Sequence, residues 1–321
     1  MGTGRGSRSF ETGAIDLAEI GGPFDLQATL ESGQSYLWDR ADGRMYAAGD
    51  ATPRGGNAWY ETVVPPIDGV TDERAVVRVR QRGGVREGRL EWESTVDAVP
   101  VLTQLLRLGD DLDAIRAAAP ELPLFDRAFD AFEGMRLVRD PPFPCLISFI
   151  CSAQMRVPRI HRMQRALAET YGDVVEVDGD RFHAFPDPDR LAARTEAELR
   201  ELSLGYRAPY VQRTAAMIAD GEAHPAEAGD LPYEPAREYL TRFVGVGEKV
   251  ADCVLLFSLG FLEAIPLDTW IRTAIADHFP DCDRGNYADT SRALRERFGD
   301  EYAGYVQTYV FAYLRGGGTD E

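Results

Sequence analysis

The spacing of apolar residues changes near residue 100, and this change constrains the fold more than any other feature. Before it, apolar and polar residues alternate, which is the period of a β-strand. After it, apolar residues recur every three or four positions, as on one face of a helix. We therefore predict an α+β protein, with an N-terminal twisted antiparallel β-sheet domain over residues 11–100 and a larger all-α domain over residues 101–315.

Both patterns can be followed along the chain. The alternating apolar positions of the first part include Phe24, Leu26, Ala28, Leu30, Val77 and Val79. Glycine-rich turns separate these segments, and prolines punctuate the helical part. Helices are predicted over residues 101–107, 111–118, 124–133, 143–153, 157–171, 196–203, 209–219, 233–242, 248–259, 268–279, 289–297 and 300–314.

The two ends and the cysteines suggest a reducing compartment. Residues 1–10 and 316–321 are predicted to be flexible tails. The first of them has no apolar signal core, and no apolar run approaches the roughly 18 residues of a membrane helix. The four cysteines do not have the spacing of a zinc or iron–sulfur site. We expect a cytoplasmic protein with reduced thiols, no metal site and no membrane contact.

The charged residues are distributed in an unusual way. The formal net charge is −18, and Lys and Arg total 35, yet Lys249 is the only lysine in the chain. An acidic surface from which lysine has been removed is typical of proteins that work in molar salt. The Debye length is then about 3 Å. The net charge therefore does not exclude nucleic acid, but DNA must be held by short-range contacts rather than by long-range attraction.

A solitary lysine among arginines points to an amine that can lose its proton. Guanidinium cannot do so, because its pKa lies above 12. The composition alone leaves open a surface residue retained by chance. The neighbouring sequence, VGVGEKVADCVLLFSL over residues 244–259, favours a chemical role. A helix ends near Arg242, and a second helix opens at Glu248, so the segment has the form of a helix-hairpin-helix.

The hairpin suits a phosphate, and the helix that follows suits a nucleophile. Gly245, Val246 and Gly247 form a tight turn whose N–H groups, with the positive end of the new helix, make an anion site. Lys249 lies in the first helical turn, where the helix dipole and nearby arginines disfavour a second positive charge. The neutral amine is the nucleophilic form. Cys253 lies at i+4 on the same helix face.

A carboxylate follows 19 residues later. Asp268 is placed to cap the helix that starts at Thr269, and capping alone would explain it. A capping carboxylate is also held ionised by backbone N–H groups. Close to a sugar, it could stabilise positive charge that develops at C1′.

At this point the sequence resembles a known family, the eukaryotic-type 8-oxoguanine DNA glycosylases of the helix-hairpin-helix superfamily. The resemblance extends over nearly the whole chain and rests on five further segments in order. They are SGQSYLW at residues 32–38, FEGMRL at 132–137, CLISFICS at 145–152, LGYRA at 204–208, and AGYVQ at 303–307 with Phe311.

The resemblance implies a role for each matching residue. Lys249 would be the nucleophile that forms a Schiff base, and Asp268 its electrostatic partner. The extruded base would lie between Cys253 and Phe311, with Gln307 on its Watson–Crick edge. Gly33 would accept a hydrogen bond from the N7–H that 8-oxoguanine has and guanine lacks. The residues implied at the wedge and at the orphaned partner base are Tyr206, Arg207, Arg159 and Gln154.

The family's pattern is not kept everywhere. Gln154 falls in the stretch that is rich in asparagine in the family, Val244 replaces the usual proline before the hairpin, and Trp270 replaces a histidine. The resemblance also implies damaged double-stranded DNA as partner, a monomer, no cofactor for chemistry, and a structural monovalent cation held by hairpin carbonyls.

These observations predict a bifunctional DNA glycosylase and AP lyase that excises 8-oxoguanine. One alternative is a monofunctional glycosylase for alkylated purines, which uses activated water and needs no lysine. A second alternative is a non-catalytic helix-hairpin-helix protein that only binds DNA. The lysine argues against the first, and the aspartate that follows it argues against the second.

Overall fold

The computed structural model describes residues 8–47 and 55–316. Seven strands are found in these residues: β1 (Glu11–Asp16), β2 (Asp39–Arg40), β3 (Tyr60–Val64), β4 (Ala75–Arg82), β5 (Arg89–Ser94), β6 (Val174–Val177) and β7 (Asp180–His183). The α-helices of the first half are α1 (Leu26–Glu31), α2 (Ala98–Leu105), α3 (Leu112–Ala118), α4 (Pro123–Ala131), α5 (Pro142–Ser152) and α6 (Val157–Tyr171). Those of the second half are α7 (Pro188–Ala192), α8 (Glu196–Glu201), α9 (Ala208–Ala219), α10 (Tyr233–Leu240), α11 (Glu248–Val254), α12 (Thr269–His278), α13 (Tyr287–Phe298) and α14 (Ala303–Arg315).

Strands β1–β5 form one antiparallel sheet with the order β1-β5-β4-β3-β2. Val77 and Val79 are buried on one face of it. On the other face, Arg78 of β4 pairs with Glu93 of β5 at 2.5 Å. One continuous cluster of buried apolar side chains joins the sheet to the helices. The predicted α+β class and the N-terminal antiparallel sheet are confirmed.

Residues 26–31 were predicted as part of a strand, and this is wrong because they form helix α1. The alternation of Leu26, Ala28 and Leu30 fits a strand, but Leu26 and Leu30 also lie one helical turn apart. A helix cap decides between the two, because Asp25 accepts a hydrogen bond from the N–H of Ala28 at 2.8 Å. The side chain of Gln81 then fixes the helix to the sheet by accepting from the N–H of Leu26 at 2.8 Å.

The helical part is not purely α. Strands β6 and β7 form a hairpin around Asp178 and Gly179, both with positive φ, as a two-residue type I′ turn requires. Residues 8–10, predicted to belong to a flexible tail, pack against this hairpin. Phe10 meets Phe182 edge to face with ring centroids 5.9 Å apart. The rest of the predicted tails, residues 1–7 and 317–321, lies outside the described residues.

Most predicted helices form, with small shifts at their ends. The sheet ends at Ser94 and α2 begins at Ala98, so residue 100 falls within a helix. The predicted helix over 248–259 is α11 followed by a π-helical segment, Leu255–Leu259. Among the described residues, no helix is long and apolar enough to cross a membrane.

Candidate active site

A cavity of about 900 Å³ opens where α1, α5, α11, α12 and α14 meet. It is lined by every residue that the sequence analysis assigned to catalysis and to the base pocket: Gly33, Lys249, Cys253, Asp268, Gln307 and Phe311. These residues come from four separated parts of the chain. The fold therefore brings the predicted catalytic and base-pocket residues to one place.

Lys249 reaches this cavity as a half-buried amine. Its Nζ donates to the Oγ of Ser152 at 3.1 Å and lies 5.4 Å from the centroid of the Phe149 ring. The Ser152 hydroxyl in turn donates to the carbonyl of Phe149 at 2.7 Å, which leaves its lone pairs for the amine. Within residues 8–47 and 55–316, Lys249 forms no ion pair with a carboxylate. The amine is thus held by a neutral partner at the end of α5.

Helix α11 is anchored by a residue whose role the sequence analysis missed. Asp252 is fully buried and accepts hydrogen bonds at 2.8 Å from the hydroxyls of Tyr233 and Tyr287. Burial raises the pKa of this carboxyl to about 7, against the opposing effect of Arg237. The signal in the sequence is an acid on the apolar face of a helix, three residues after Lys249. Asp252 fixes the helix that carries Lys249 and Cys253.

Asp268 caps α12, as predicted. One carboxyl oxygen accepts from the N–H of Ile271 at 2.8 Å, and the side chain also lines the cavity. Both Lys249 and Asp268 act on the buried thiol of Cys253. Burial raises the pKa of this thiol to about 11, while Lys249 lowers it and Asp268 raises it further. The amine and the carboxylate therefore share one electrostatic environment.

Helix α14 contributes one face to the cavity. Gln307 and Phe311 lie one turn apart on it, and Gln307 is only 5% exposed. Its side-chain amide forms no hydrogen bond with any part of the chain that the structure describes. An amide that lines a cavity and forms no such bond can pair with a ligand that has complementary donors and acceptors.

Gly33 presents its backbone to the same cavity. Its φ is +96°, and a Cβ built there would lie 3.0 Å from Val157 and 3.2 Å from Arg315. The next residue, Gln34, fixes the loop by donating to the carbonyl of Arg136 at 3.0 Å. No donor in residues 8–47 or 55–316 reaches the Gly33 carbonyl. The position requires glycine and leaves one backbone acceptor free.

Of the four residues assigned to the wedge and to the orphaned base, Gln154 lines the edge of this cavity, whereas Arg159, Tyr206 and Arg207 do not line it. Tyr206 is 52% exposed, and Gln154 and Arg159 are also exposed. Arg207 is different, because it is 2% exposed, donates to the carbonyl of Ala153 and lies 4.2 Å from the Tyr206 ring centroid. The guanidinium of Arg207 therefore points into the protein, and its contact with the orphaned base stays a prediction. It supports Tyr206 and the segment after α5.

The hairpin before α11 has exposed backbone at both glycines. Gly245 has a φ of +86°, and a Cβ there would lie 2.7 Å from the ring of Tyr210. Gly247 is the N-cap of α11, and no side chain caps this end. In the described part of the chain, no side chain occupies the first N–H groups of this helix, which is the arrangement that an anion site requires.

We expect Gly245→Ala to weaken the binding of duplex DNA by about tenfold, because the added Cβ strains and displaces the hairpin backbone. A tenfold loss of affinity corresponds to about 1.4 kcal/mol. Fluorescence anisotropy with a labelled duplex measures the effect. Gly285→Ala is the matched control, because Gly285 also has a positive φ, of +77°, but no atom lies within 4 Å of its Cβ position. Equal DNA affinity of the two variants would show that the hairpin does not contact DNA.

Comparisons with known proteins agree with this geometry. The sequence profile of HhH-GPD superfamily base excision DNA repair proteins matches residues 147–299. A probable N-glycosylase/DNA lyase of Methanothermobacter thermautotrophicus is 30% identical over 321 residues, covering 92% of this chain and 95% of that protein. The N-glycosylase/DNA lyase of Saccharomyces cerevisiae is 38% identical over 160 residues, covering 46% of this chain and 43% of that protein.

A solved structure resembles the whole chain. It is the 8-oxoguanine glycosylase/lyase of Clostridium acetobutylicum in complex with double-stranded DNA containing cytosine opposite 8-oxoguanine. The two chains are 27% identical, with a TM-score of 0.77. The match covers 96% of this chain and 98% of that one.

Proposed function

This chain belongs to the HhH-GPD superfamily of base excision DNA repair proteins, and we propose that it is a bifunctional DNA glycosylase and AP lyase that excises 8-oxoguanine from duplex DNA. One observation carries the proposal. Lys249, the only lysine of the chain, lines a cavity together with Asp268 and the side chain of Gln307, and it forms no ion pair with a carboxylate of the described residues. The relatives named N-glycosylase/DNA lyase support the same reaction.

The chemistry follows from the amine and the carboxylate. The damaged nucleotide leaves the helix and enters the cavity, at a cost of a few kcal/mol. The neutral amine of Lys249 attacks C1′, and the electron pair of the C1′–N9 bond leaves with the base. The Asp268 carboxylate stabilises the positive charge that develops on the sugar. Opening of the sugar ring gives a Schiff base. Loss of a proton from C2′ then breaks the C3′–O3′ bond and nicks the strand.

Recognition of the lesion requires a single distinguishing contact. We assign it to the free carbonyl of Gly33, which accepts from the N7–H of 8-oxoguanine; guanine has an acceptor at N7 and would leave both groups unpaired. Gln307 pairs with the Watson–Crick edge of the base. Cys253 and Phe311, which both line the cavity, hold its two faces.

The remaining assignments concern the DNA around the lesion. Tyr206, the exposed aromatic side chain of the wedge segment, fills the gap in the stack. Gln154 and Arg159 face the orphaned partner base, and Arg207 joins them only when its guanidinium leaves the Ala153 carbonyl. The backbone of the hairpin holds a phosphate.

We also propose that a structural monovalent cation binds the hairpin. In the described part of the chain, the carbonyls of Thr241 and Val246 accept no backbone hydrogen bond, so they offer oxygen ligands suited to such an ion. A bound cation would fix the loop and take no part in the reaction. The described residues hold no cluster of acidic, histidine or cysteine ligands for a metal. Reduced, buried thiols at Cys253 and three other cysteines support a cytoplasmic location.

The test uses duplexes that carry 8-oxoguanine opposite each of the four bases, in molar salt, with and without borohydride. We expect release of the base, a nick 3′ to the lesion and a covalent adduct on reduction. Release of base without an adduct would favour the monofunctional alkylpurine enzyme, and binding without release would favour the non-catalytic DNA-binding protein.

A further inference from the structure

The face of α14 that carries Gln307 and Phe311 continues one turn further, to Arg315. The three residues are spaced at i, i+4 and i+8, and all line the cavity. The guanidinium carbon of Arg315 lies 5.3 Å from the centroid of the Phe311 ring. Its Nη1 lies 3.2 Å from the position that a Cβ on Gly33 would take. A base that stacks on Phe311 and reaches the Gly33 backbone therefore comes within contact distance of this guanidinium.

Arg315 is unlike most arginines of this acidic chain. Arg74, for example, pairs with Asp173 at 2.7 Å and with Asp187 at 3.0 Å. Arg315 forms no ion pair and no hydrogen bond within residues 8–47 and 55–316. Its hydrogen-bond donors are thus free on the side of the cavity.

The charge of Arg315 acts inside the cavity rather than outside it. Burial raises the pKa values of Tyr36 and Tyr46, which both line the cavity, and the charge of Arg315 opposes this rise at each. A charge that is felt at two buried hydroxyls would also be felt at the oxygen atoms of a base held between them and Phe311. The low polarity of the site strengthens such an interaction.

The base becomes more negative when the bond to the sugar breaks. The electron pair of the C1′–N9 bond moves onto the purine, where the carbonyl oxygens share the negative charge until solvent supplies a proton. A fixed cation beside one of those oxygens stabilises the transition state more than it stabilises the bound substrate. It therefore accelerates the breaking of the C1′–N9 bond.

We propose that Arg315 is a further catalytic residue, which donates a hydrogen bond to a carbonyl oxygen of the damaged base beside the N7–H and stabilises that base as it leaves. The proposal rests on the proposed function. It makes a specific distinction between the two reactions of the enzyme. Arg315 acts on excision, in which a base is present, and not on the nicking of an abasic site, in which the base is absent.

The experiment measures single-turnover rates of Arg315→Gln and Arg315→Lys on two duplexes, one with 8-oxoguanine and one with a preformed abasic site. We expect Arg315→Gln to slow excision by about a hundredfold, a loss typical of one transition-state donor. Arg315→Lys should recover part of the rate, because it keeps the charge and loses the planar fork. Nicking of the abasic duplex should stay within about twofold for both variants, as should the affinity for that duplex.

The matched control is Arg284→Gln. Arg284 is exposed, it does not line this cavity, and it forms no ion pair with the described residues. The control substitution should leave both rates unchanged. Equal slowing of both reactions by Arg315→Gln would mean that Arg315 only supports the fold or binds DNA, and an unchanged excision rate would also overturn the proposal. Failure of the unmodified enzyme on both duplexes would instead overturn the proposed function, and this inference with it.

Discussion

Lys249→Gln should reduce excision of 8-oxoguanine by at least about 10⁴-fold and abolish reductive trapping, because it removes the nucleophile. Glutamine keeps much of the length of the side chain, so the affinity for lesion DNA should change by less than about fivefold. Excision measured by gel electrophoresis in single turnover, together with anisotropy for binding, gives both quantities.

Lys249→Arg separates the charge of this residue from its nucleophilicity. Arginine is the residue that the chain uses at its other basic positions, and it keeps a positive charge at the mouth of the cavity. Guanidinium does not deprotonate, so this variant should be as inactive as Lys249→Gln. Substantial excision by Lys249→Arg would show that the lysine serves only as a cation. The hydrogen bond to Ser152 would then be a structural contact.

Asp268→Asn should slow excision by about 10²–10³-fold, the loss expected when one preorganised electrostatic group is removed. Asparagine caps helices as well as aspartate does, so α12 should remain capped at the N–H of Ile271 and the melting temperature should change little. Rates and thermal denaturation measured on the same preparation distinguish the two roles that the sequence leaves open for Asp268.

Asp111→Asn is the control for this prediction. Asp111 caps α3 in the same way, by accepting from the N–H of Ala114 at 3.0 Å, and it does not line the cavity. The substitution should leave excision unchanged. If Asp268→Asn behaves like Asp111→Asn, with excision within a few fold of the unmodified enzyme, the aspartate is a cap and has no electrostatic role.

The spacing of apolar residues predicts the helices and strands of this fold wherever the helical period fits clearly better than the strand period, or the reverse. Residues 157–171 form helix α6 with the predicted bounds, and strands β4 and β5 pair across the turn that Gly83 and Gly84 predict. Residues 26–31 were predicted incorrectly because both periods fit, so the capping bond from Asp25 decides. The β6–β7 hairpin, which was not predicted, does carry a sequence signal in Asp178-Gly179 between two short alternating segments.

In the candidate site too, some features follow from the sequence and others do not. The composition singles out Lys249, because it is the one side-chain amine in a chain whose other Lys/Arg positions are all arginine. The orientation of Arg207 could not be predicted, since it depends on a carbonyl 54 positions away in the chain, that of Ala153. The partners of Asp252 are likewise set by tertiary packing. Local pattern cannot identify contacts between distant segments, and these contacts position the helix that carries Lys249.

The acidity of the surface has a consequence for the function. Because long-range attraction is screened within about 3 Å in molar salt, affinity for DNA under that condition must come from direct contacts, such as those proposed at the hairpin glycines and Tyr206. A site built from buried groups, such as Gln307 and Cys253, is little affected by salt. In molar salt, a net charge of −18 is therefore compatible with action on DNA.

The most direct measurement uses the fact that the chain has one ε-amine. The enzyme is incubated with 8-oxoguanine duplex, reduced with borohydride and digested, and the peptide that carries the deoxyribose remnant is sequenced by mass spectrometry. The sugar should be attached to Lys249, in the peptide that also contains Gly247 and Cys253. Attachment at the N-terminal amine, or base release with no adduct on any peptide, would contradict the assignment of Lys249 as the nucleophile.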